Sequence, residues 1–410
     1  MSGKLKRSNL EKQVQVLPKE IKFCNKCLIS NQRPRMVFDD HGVCSACNNR
    51  SYLENSVDWK KRGNQFETLL DQHRRNDGQW DVLVPSSGGK DSGFVAHQLK
   101  YKHKMNPLTV TWSPLKYTQK GFDNFQGLCD AGFMNIKCTP NGVIHRKLAR
   151  LSFEEFGDAF HVFVLGQMYF PMHMALKFNI PLVMYGENGE VEYAGDPSAV
   201  DKPYKDLVAD EKWITGYLKG VSFQELLKYG VEHKDYLSQD DLLSPDLIYY
   251  NPPPKEKMVE QGISKLTYYG HYFKWNPQEN FYYCADHTNF SPNSERNEGT
   301  FSKYASLDDK MDGFHYYMRY IKLGLGRCIE DVAHEIRDGH ISKEEGLALL
   351  KRYEGEFPKK YFEEFLEYLD ISESHFWDVV DSWRLPHIWK KDDEGQWIMR
   401  KTVFDLYEEA

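Results

Sequence analysis

The stretch VLVPSSGGKDSGFVAHQLK, residues 82–100, decides the fold expected for this chain. Its apolar beginning extends a run that starts at Trp80 and predicts a short buried strand, whereas residues 93–100 have the apolar spacing of a helix. Serine, glycine, lysine and aspartate fill the interval between them. Glycine lets the backbone approach an anion closely, and a helix amino terminus offers free N–H groups. The pattern therefore predicts a phosphate-binding loop between a strand and a helix.

The loop differs from a Walker A motif, which requires the pattern G-x-x-x-x-G-K-[ST]. Here Lys90 follows two glycines directly, and Asp91 follows the lysine. A lysine at this place adds positive charge where the negative charge of a reacting phosphate accumulates. The aspartate is a candidate Mg²⁺ ligand, because hard cations prefer carboxylate and phosphate oxygens.

Strand and helix patterns alternate downstream of the loop. Strands are predicted over residues 107–112, 135–140 and 180–188, and helices over residues 143–156 and 158–177. Such alternation implies that the strands pair in parallel. The predicted fold class is therefore α/β, with a doubly wound parallel sheet that binds ligands at the carboxyl ends of its strands.

Four cysteines near the amino terminus form the pattern C-x2-C-x16-C-x2-C, and they are Cys24, Cys27, Cys44 and Cys47. The spacing is within the range of a tetrahedral zinc site, and a closed site of four thiolates is normally structural. A turn at residues 39–42 between two apolar segments predicts a small β-hairpin, so the segment is interpreted as a zinc ribbon. The alternatives are unrelated free cysteines or a redox-active C-x-x-C pair.

Composition and charge restrict the class of protein. The chain has 410 residues and a net charge of −7, and it contains no apolar run long enough to span a membrane. The acidic balance argues against a protein whose main role is to hold a long polynucleotide. Residues 1–20 are basic and lack the apolar core of a signal peptide, so they are interpreted as a flexible arm. We expect a cytoplasmic protein that binds neither membrane nor nucleic acid.

The motif SGGKDS resembles the PP-loop of the ATP pyrophosphatase superfamily, whose fold is that of the adenine nucleotide alpha hydrolases. This resemblance implies that ATP is cleaved between its α- and β-phosphates. An oxygen of the acceptor is adenylated, and a nitrogen or sulfur nucleophile then displaces AMP. At the end of the second strand, the resemblance assigns Thr111 and Trp112 to the adenine. The implied phosphate-binding residues are Ser86, Ser87, Gly88, Gly89, Lys90, Asp91 and Ser92.

The fourth predicted strand ends in a turn that is rich in carboxylates, YGENGEVEYAGD at residues 185–196. The same resemblance places this turn beside the phosphates and the acceptor. It assigns Gly186 to the nucleotide, Glu187 to catalysis, and Asn188 and Glu190 to the substrate. Carboxylates at such a place are able to bind Mg²⁺, orient ammonia or accept a proton. The alternative interpretation is a solvated acidic loop.

A narrower resemblance depends on four features together: the cysteine ribbon, SGGKDS, the YGEN turn and KYASLDDKMDGFHYYMRYIKLGLGR at residues 303–327. From about Cys24 to Arg337 the chain is similar to the N-acetyl sugar amidotransferases of bacterial surface-polysaccharide pathways, which include lipopolysaccharide O-antigen and nonulosonic acid routes. These enzymes convert the acetamido group of a nucleotide-linked or free sugar to an acetamidino group. The resemblance implies adenylation of the amide oxygen, attack by ammonia, and release of AMP and pyrophosphate.

The same resemblance implies cofactors and partners. Lys90, Asp91 and Glu187 become the catalytic residues, and ATP, Mg²⁺ and a structural Zn²⁺ become the expected cofactors. The partners are the acetamido sugar, a separate glutaminase and a barrel-like protein similar to those of histidine biosynthesis. The sequence contains no glutaminase pattern of its own, and Ser2 rather than cysteine follows the first methionine. Ammonia is therefore expected to come from solution or from a partner.

The substrate region is expected after the nucleotide domain. Residues 268–304 mix aromatic side chains with Lys274, Trp275, Arg296 and Lys303. Such side chains are able to stack a sugar or uridine ring and to hold its phosphates or a carboxylate. An ordinary aromatic core is the alternative interpretation.

These patterns divide the chain into five segments. They are a flexible basic arm over 1–20, a zinc ribbon and linker over 21–60, a PP-loop ATP-binding α/β domain over 61–250, a substrate-binding region over 251–332, and a helical region over 333–410. The helical region has helical periods separated by Gly-His and Phe-Pro breaks. It is interpreted as a small domain that covers the site or binds the ammonia-supplying partner.

Two other functions are compatible with parts of the sequence. A PP-loop tRNA thiolation enzyme also combines cysteine motifs with such a loop, and Cys129 or Cys138 would then supply its reactive thiol. That enzyme requires an RNA-binding surface, which the acidic net charge disfavours. The second alternative is a scaffold that binds ATP without turning it over.

Overall fold

The computed structural model describes residues 10–193, 197–214, 218–234 and 237–408. At its centre is a sheet to which six strands of these residues contribute. In chain order the strands are β1 (Val82–Pro85), β2 (Pro107–Trp112), β3 (Asn135–Cys138), β4 (Val183–Tyr185), β5 (Tyr204–Asp206) and β6 (Lys265–Tyr268). In space they follow the order β3-β2-β1-β4-β6-β5.

Helices precede, connect and follow these strands. The helices before β5 are α1 (Ser45–Asn55), α2 (Trp59–His73), α3 (Lys90–His97), α4 (Gln119–Asp130), α5 (Gly142–Phe156), α6 (His161–Phe178) and α7 (Gly189–Glu192). Those up to residue 287 are α8 (Glu211–Ile214), α9 (Phe223–His233), α10 (Gln239–Leu242), α11 (Lys255–Glu260), α12 (Tyr269–Tyr272) and α13 (Pro277–His287). The remaining helices are α14 (Asp312–Leu323), α15 (Cys328–Arg337), α16 (Lys343–Tyr353), α17 (Phe362–Leu369), α18 (Glu373–Ser382) and α19 (Asp405–Glu408).

Short elements complete the architecture. One π-helical segment continues α3, and it comprises Gln98–Lys102. The 3-10 helices are Gln13–Val16, Pro197–Ala199 and Pro245–Tyr250. A separate antiparallel hairpin near the carboxyl terminus consists of β7 (Trp389–Lys391) and β8 (Trp397–Met399).

The order of the strands reverses between β1 and β4, which lie side by side although β2 and β3 intervene in the sequence. The neighbouring strands of the sheet pair in parallel, except β5, which is antiparallel to β6. In sheets of this kind ligands bind outside the carboxyl ends of the strands, at the point of reversal. The loops that follow β1 and β4 therefore meet at the position expected for a ligand.

Two apolar cores cover the two faces of the sheet. Leu83 of β1 belongs to the larger core, with side chains of α5 and α6, whereas its neighbours Val82 and Val84 belong to a smaller core with α3. This division follows from the two-residue period of a strand, which directs successive side chains to opposite faces. The predicted α/β class with a mostly parallel sheet is thus confirmed.

The predicted strands correspond to β1–β4. The second strand has the predicted bounds, whereas the fourth, predicted over residues 180–188, is shortened to Val183–Tyr185. The sequence did not predict β5 and β6. Both are short, and β5 is a polar edge strand of three residues whose side chains are partly or fully exposed. Such a strand lacks the apolar run or alternation that marks a buried strand.

Residues 10–20 differ from the flexible arm predicted for residues 1–20, and residues 1–9 lie outside the described residues. Glu11 is 2% exposed, and its carboxylate lies 2.5 Å from Nζ of Lys322 in α14. Val14 and Leu17 are buried in the larger core. Apolar burial and a buried ion pair therefore attach this segment to the carboxyl-terminal part of the fold.

The predicted hairpin between the two cysteine pairs is reduced to the turn at residues 39–42, where an isolated antiparallel bridge joins Phe38 to Cys44. A second isolated bridge joins Phe23 to Ser30. The third cysteine is itself the amino-terminal cap of α1. The second cysteine pair therefore presents its sulfur atoms from the start of a helix and not from a second strand.

The carboxyl-terminal region contains α16–α18, in agreement with the helical periods of its sequence. The hairpin of β7 and β8 after them was not predicted. In α14 the side chains of Phe314, Met318 and Ile321 form an apolar face that is buried in the larger core. Among the described residues, helices that are long and apolar enough to cross a membrane are absent.

Candidate functional site

The loop between β1 and α3 has a backbone that only glycine fits at Gly88. Its φ angle is +88°, and a Cβ atom there would lie 2.6 Å from the backbone of Phe125. Ser86 supports the loop: its backbone N–H donates to the carbonyl of Val110 at 2.9 Å, and its hydroxyl donates to Oγ of Ser92 at 2.8 Å. The loop is therefore held against β2 and α4 in one tight conformation.

The amino terminus of α3 is open at this loop. Gly89 is the cap residue, and no side chain caps the helix. Lys90 and Asp91 in the first turn form an ion pair, and Asn280 of α13 donates to Oδ1 of Asp91 at 3.1 Å. Free N–H groups at a helix amino terminus, together with a lysine, suit an anionic group such as a phosphate. No sequence motif marks Asn280 as a residue of this loop, so its contact with Asp91 was not predicted.

A cavity of about 260 Å³ lies over the loop, and we call it the loop cavity. One wall consists of the loop and the first turn of α3, together with Gly121 and Asn124 of α4. The opposite wall comes from later parts of the chain. Its residues are Tyr193, Phe290, Tyr304, Ala305, Ser306, Leu307, Asp308, Tyr316 and Arg327. The cavity thus lies between the glycine-rich loop and the carboxyl-terminal region.

A larger cleft of about 670 Å³ adjoins the loop cavity, and we call it the C-terminal cleft. The two share Ser306, Leu307, Tyr316 and Arg327 as lining residues. The cleft also contains hydroxyl, amide and charged side chains, a mixture suited to a polar ligand with several hydrogen-bonding groups. The lining side chains of this kind include Thr118, Gln119, Lys120, Asn293, Arg296, Asn297, Thr300, Lys310 and Lys360.

Two carboxylic acids near the loop titrate close to neutrality. Burial and the charge of Asp91 raise the pKa of Glu187 to about 7, and Lys90 opposes this effect. Burial and the charge of Asp312 raise the pKa of Asp308 to about 6, although the hydroxyl of Ser87 lowers it. Such groups are able to exchange protons at neutral pH. The sequence predicted a role for Glu187, whereas Asp308 is one of three aspartates within residues 308–312.

The structure brings together part of the predicted site. Ser87, Gly88, Gly89, Lys90 and Asp91 line the loop cavity. Ser86 and Ser92 lie beneath the loop and bond to each other. Glu187 follows β4 and lies close enough to Asp91 and Lys90 for their charges to shift its pKa. These residues occupy adjacent loops at the reversal of the sheet, as predicted for a parallel α/β fold.

Thr111 and Trp112, predicted to contact adenine, lie in the interior of the fold. The hydroxyl of Thr111 donates to the carbonyl of Ser86 and, at 3.1 Å, to Oδ1 of Asn135. Trp112 is 5% exposed and packs on Gly166, where a Cβ atom would lie 2.0 Å from its ring. Their side chains support the end of β2, and neither of them lines the loop cavity or the C-terminal cleft.

The predicted substrate residues are separated from one another. Trp275 is 4% exposed and packs on Gly186, as in the alternative interpretation of an aromatic core. Lys274 and Lys303 are exposed and belong to neither set of lining residues. Arg296 lines the C-terminal cleft. The predicted residue Asn188 lines two other cavities, and the side chain of Glu190 is outside the described part of the structure.

Arg296 is also paired within the cleft that it lines. Its guanidinium donates two hydrogen bonds to the carboxylate of Glu356, at 2.6 and 2.8 Å. The same group lies 4.4 Å from the ring centroid of Tyr353. This two-point pairing fixes the guanidinium at the wall of the cleft.

The four amino-terminal cysteines converge on one point. Their sulfur atoms lie within 4.8 Å of one another and are buried, with Cys24 Sγ 3.8 Å from Cys47 Sγ and Cys27 Sγ 3.5 Å from Cys44 Sγ. Backbone N–H groups of Lys26 and Cys44 also donate to Cys24 Sγ, at 3.4 and 3.3 Å. A buried set of four thiols with these spacings fits a tetrahedral Zn²⁺ ion. The predicted structural zinc site is therefore compatible with the structure.

The cysteine cluster contacts the carboxyl-terminal region directly. Arg33, between the cysteine pairs, forms an ion pair with Glu330 of α15, and Glu330 also accepts a hydrogen bond from Arg319 at 2.7 Å. Arg50 of α1 lies 2.8 Å from the carboxylate of Asp338. Arg33 and Arg50 thus join the amino-terminal segment to the carboxyl-terminal region.

Comparison with known proteins concerns this same carboxyl-terminal region. Residues 298–403 match a family model described as LPS biosynthesis protein WbpG-like, C-terminal domain. The chain thus contains a region similar to a domain of lipopolysaccharide biosynthesis. No curated protein matched the chain. The matched residues include much of the wall that faces the glycine-rich loop, among them Tyr304, Asp308, Tyr316 and Arg327. The match suggests an enzyme with a role in lipopolysaccharide or sugar biosynthesis.

Proposed function

We propose that the protein is an ATP-dependent, AMP-forming amidotransferase that converts the acetamido group of a sugar to an acetamidino group. One observation carries the proposal. A glycine-rich loop with the sequence SGGKDS faces a wall contributed by a region similar to a lipopolysaccharide biosynthesis domain, across a cavity of about 260 Å³. The loop suits a nucleoside triphosphate, and the opposite wall suits a sugar acceptor.

ATP is proposed to bind with its phosphates on the loop. The backbone N–H groups of Gly88 and Gly89, the amino terminus of α3 and the ammonium group of Lys90 would hold the phosphate oxygens. Asp91 is the proposed ligand for Mg²⁺, and its carboxylate is fixed by Asn280. Mg²⁺ would neutralise the charge of the phosphates and of the departing pyrophosphate.

The proposed reaction has two steps. The amide oxygen of the acetamido group attacks the α-phosphorus of ATP, and the bond to pyrophosphate breaks, so that pyrophosphate leaves with the electron pair. Ammonia then adds to the activated carbon, and the carbon–oxygen bond breaks with release of AMP. Because amides are poor electrophiles, adenylation of the oxygen turns it into a leaving group. Holding the sugar beside ATP would supply the proximity that the first step needs, and holding ammonia beside the sugar would do so for the second.

Glu187 is the proposed acceptor of the proton that ammonia loses on attack. Its pKa of about 7 lets a fraction of the side chain be ionised at neutral pH and still hold the proton afterwards. It lies near Asp91, at the loop that adjoins the phosphate site. Asp308, with a pKa of about 6, lies on the other wall and bonds to Ser87.

The cysteine cluster has a proposed structural role. Cys24, Cys27, Cys44 and Cys47 would hold Zn²⁺ with no position left for a substrate. The ion would fix the contacts that join the amino-terminal segment to α15. A separate glutaminase and a barrel-like partner are the proposed source of ammonia, and the cytoplasm is the proposed location.

The alternative of a tRNA thiolation enzyme has less support in the structure. Burial raises the pKa of Cys138 to about 11, and burial together with Asp130 raises the pKa of Cys129. A thiol that serves as a nucleophile or sulfur carrier normally has a lowered pKa. The amidotransferase is therefore the better-supported function.

Isotope transfer tests the proposed chemistry. The protein is incubated with Mg²⁺-ATP, an ammonium salt and acetamido sugars that carry ¹⁸O in the amide carbonyl, and the AMP formed is analysed by mass spectrometry. Adenylation of the amide oxygen predicts that the phosphate of AMP contains ¹⁸O. The variant Lys90→Ala is expected to form no AMP. Formation of ADP, or of AMP without the label, contradicts the mechanism.

A further inference from the structure

Arg327 stands at the boundary between the loop cavity and the C-terminal cleft. It precedes α15 and lines both spaces. Of the four lining residues that the two spaces share, it is the one with a permanent charge; the others are Ser306, Leu307 and Tyr316. An arginine at such a boundary can reach ligands in both spaces.

The guanidinium of Arg327 is held in a defined orientation. Its Nη1 donates to the hydroxyl of Tyr316, and its carbon centre lies 4.8 Å from the centroid of that ring. Its Nε lies 2.9 Å from Oδ1 of Asp331, whose other oxygen accepts a hydrogen bond from Thr300. Nη1 is hydrogen-bonded, whereas Nε is buried without a hydrogen-bond partner and Nη2 makes no hydrogen bond within the described residues. The side chain is thus preorganised and retains donors for a ligand.

Charge in the loop cavity favours an anion near Arg327. On the loop side the ammonium of Lys90 pairs with Asp91, and on the opposite wall the guanidinium of Arg327 pairs with Asp331. Glu187 adds an acidic group beside the loop, and Asp308 of the opposite wall bonds to Ser87 of the loop. On the opposite wall, Arg327 is the cationic side chain that lines the cavity. A phosphate held by the loop would therefore face the positive charge of Arg327 on the side away from the loop.

We propose that Arg327 is a catalytic residue that binds the α-phosphate from the side opposite to the glycine-rich loop. The proposal rests on the proposed function, because transfer of the AMP group is the step that it serves. In that step the amide oxygen bonds to the α-phosphorus while the bond to pyrophosphate breaks. The planar guanidinium places two N–H donors where negative charge develops on the α-phosphoryl oxygens.

Two variants of Arg327 separate the effect of its positive charge from the effect of its planar guanidinium. Arg327→Gln removes the charge, whereas Arg327→Lys retains a charge but loses the planar fork. Arg352→Gln, on the exposed face of α16, is the matched control. The rate of AMP formation at saturating substrates and the affinity for AMP, measured by titration calorimetry, are compared among these proteins. Zinc content and circular dichroism show whether each variant is folded.

The expected losses follow from the proposed role. Arg327→Gln is expected to lower the rate of AMP formation roughly 10²- to 10³-fold, as removal of a transition-state donor does in other enzymes. Its affinity for AMP is expected to fall about tenfold, because one charge-assisted contact to phosphate is lost. Arg327→Lys is expected to lie between Arg327→Gln and the unaltered protein, and Arg352→Gln to match the unaltered protein.

Two outcomes distinguish this proposal from the proposed function. If the unaltered protein forms no AMP with any acetamido sugar but Arg327→Gln weakens AMP binding, the contact between Arg327 and phosphate is supported. The proposed amidotransferase activity is then refuted. If the unaltered protein forms AMP and folded Arg327→Gln does so at a rate within threefold of it, the role of Arg327 is overturned. Equal affinity of both proteins for AMP overturns it as well. If Arg327→Gln does not fold, the same criteria apply to Arg327→Lys.

Discussion

Arg337 joins the cysteine cluster to the turn after β4. Its Nη1 lies 3.7 Å from Sγ of Cys27, and its Nη2 donates to the carbonyl of Glu192 at 3.0 Å. Arg337 is the last residue of α15. Arg327, which lines the loop cavity, immediately precedes the first residue of the same helix. A helix of ten residues is about 15 Å long, so α15 connects the cysteine cluster with the cavity as one rigid element. A structural change in the cysteine cluster is therefore expected to change the structure of the loop cavity.

Loss of one cysteine tests the zinc site. Cys44→Ser is expected to abolish bound zinc and to lower the melting temperature by roughly 10 °C, because the four-thiolate site links α1 to α15. Zinc is measured by elemental mass spectrometry and melting by calorimetry. Cys129→Ser, outside the cluster, is the control and should retain zinc. One equivalent of tightly bound zinc in Cys44→Ser would contradict the assignment.

The two glycines of the loop are expected to respond differently to substitution. Gly88→Ala introduces a Cβ atom 2.6 Å from the backbone of Phe125 at a φ of +88°, and should cost roughly 2–3 kcal/mol of folding free energy. Gly89→Ala meets only Ser87 Oγ at 3.6 Å and should change the free energy of unfolding by less than about 0.5 kcal/mol. Urea denaturation measures both. Equal stability of the two variants would show that the loop is not constrained as described.

Removal of the carboxylate of Glu330 is expected to destabilise the fold. This side chain is 8% exposed and pairs with both Arg33 and Arg319. Glu330→Ala leaves two partly buried guanidinium groups without their shared partner and should cost about 3 kcal/mol. Glu363→Ala, at an exposed position of α17, is the control and should change stability by less than about 0.5 kcal/mol. Chemical denaturation of both variants provides the comparison, and a loss for Glu330→Ala as small as that of the control would refute the bridging role.

The raised pKa of Glu187 predicts a pH dependence of stability with a defined sign. The folded protein binds this proton more tightly than the unfolded chain, so the folded state holds more protons between about pH 4.5 and about pH 7. Stability is therefore lost as pH rises through this window. Glu187→Gln cannot ionise and is expected to gain stability relative to the unaltered protein as pH rises. Denaturation curves at several pH values test the difference, and parallel pH profiles of the two proteins would contradict the position of Glu187 beside Asp91.

The same group predicts a pH dependence of activity. A base is active when ionised, so the rate of AMP formation is expected to rise with pH, with a midpoint near the pKa of about 7. Glu187→Gln is expected to have a lower rate without that midpoint. Initial rates measured across the pH range check this, and an unchanged profile in the variant would remove Glu187 from catalysis.

The sequence predicted the centre of this fold well because local patterns determine it. Buried parallel strands such as Val82–Pro85 are continuous apolar runs, and SGGKDS sits where a strand must turn into a helix. The cysteine spacing also predicted a cluster that the structure brings together. In each case the decisive residues are close in sequence.

Features that depend on distant contacts were not predictable in the same way. Trp275 belongs to an aromatic-rich stretch, but packing on Gly186, 89 positions earlier, buries it. Asn280 fixes Asp91 from α13, and no local pattern reveals that pairing. Arg327 ends a motif that the sequence analysis recognised only as a whole. Its place between two cavities arises from the packing of α14 and α15 against the loop.

Transfer of nitrogen to a sugar is the most direct test of the account. A panel of nucleotide-linked and free acetamido sugars is incubated with the protein, Mg²⁺-ATP and ¹⁵N-ammonium, and the sugars and nucleotides are followed by mass spectrometry. An amidotransferase of the proposed kind is expected to yield one sugar whose acetamido oxygen is replaced by a ¹⁵N-labelled NH group, with an equal amount of AMP. ATP turnover that never places ¹⁵N in a sugar, even when a glutaminase and its barrel-like partner supply the ammonia, would contradict the proposed amidotransferase.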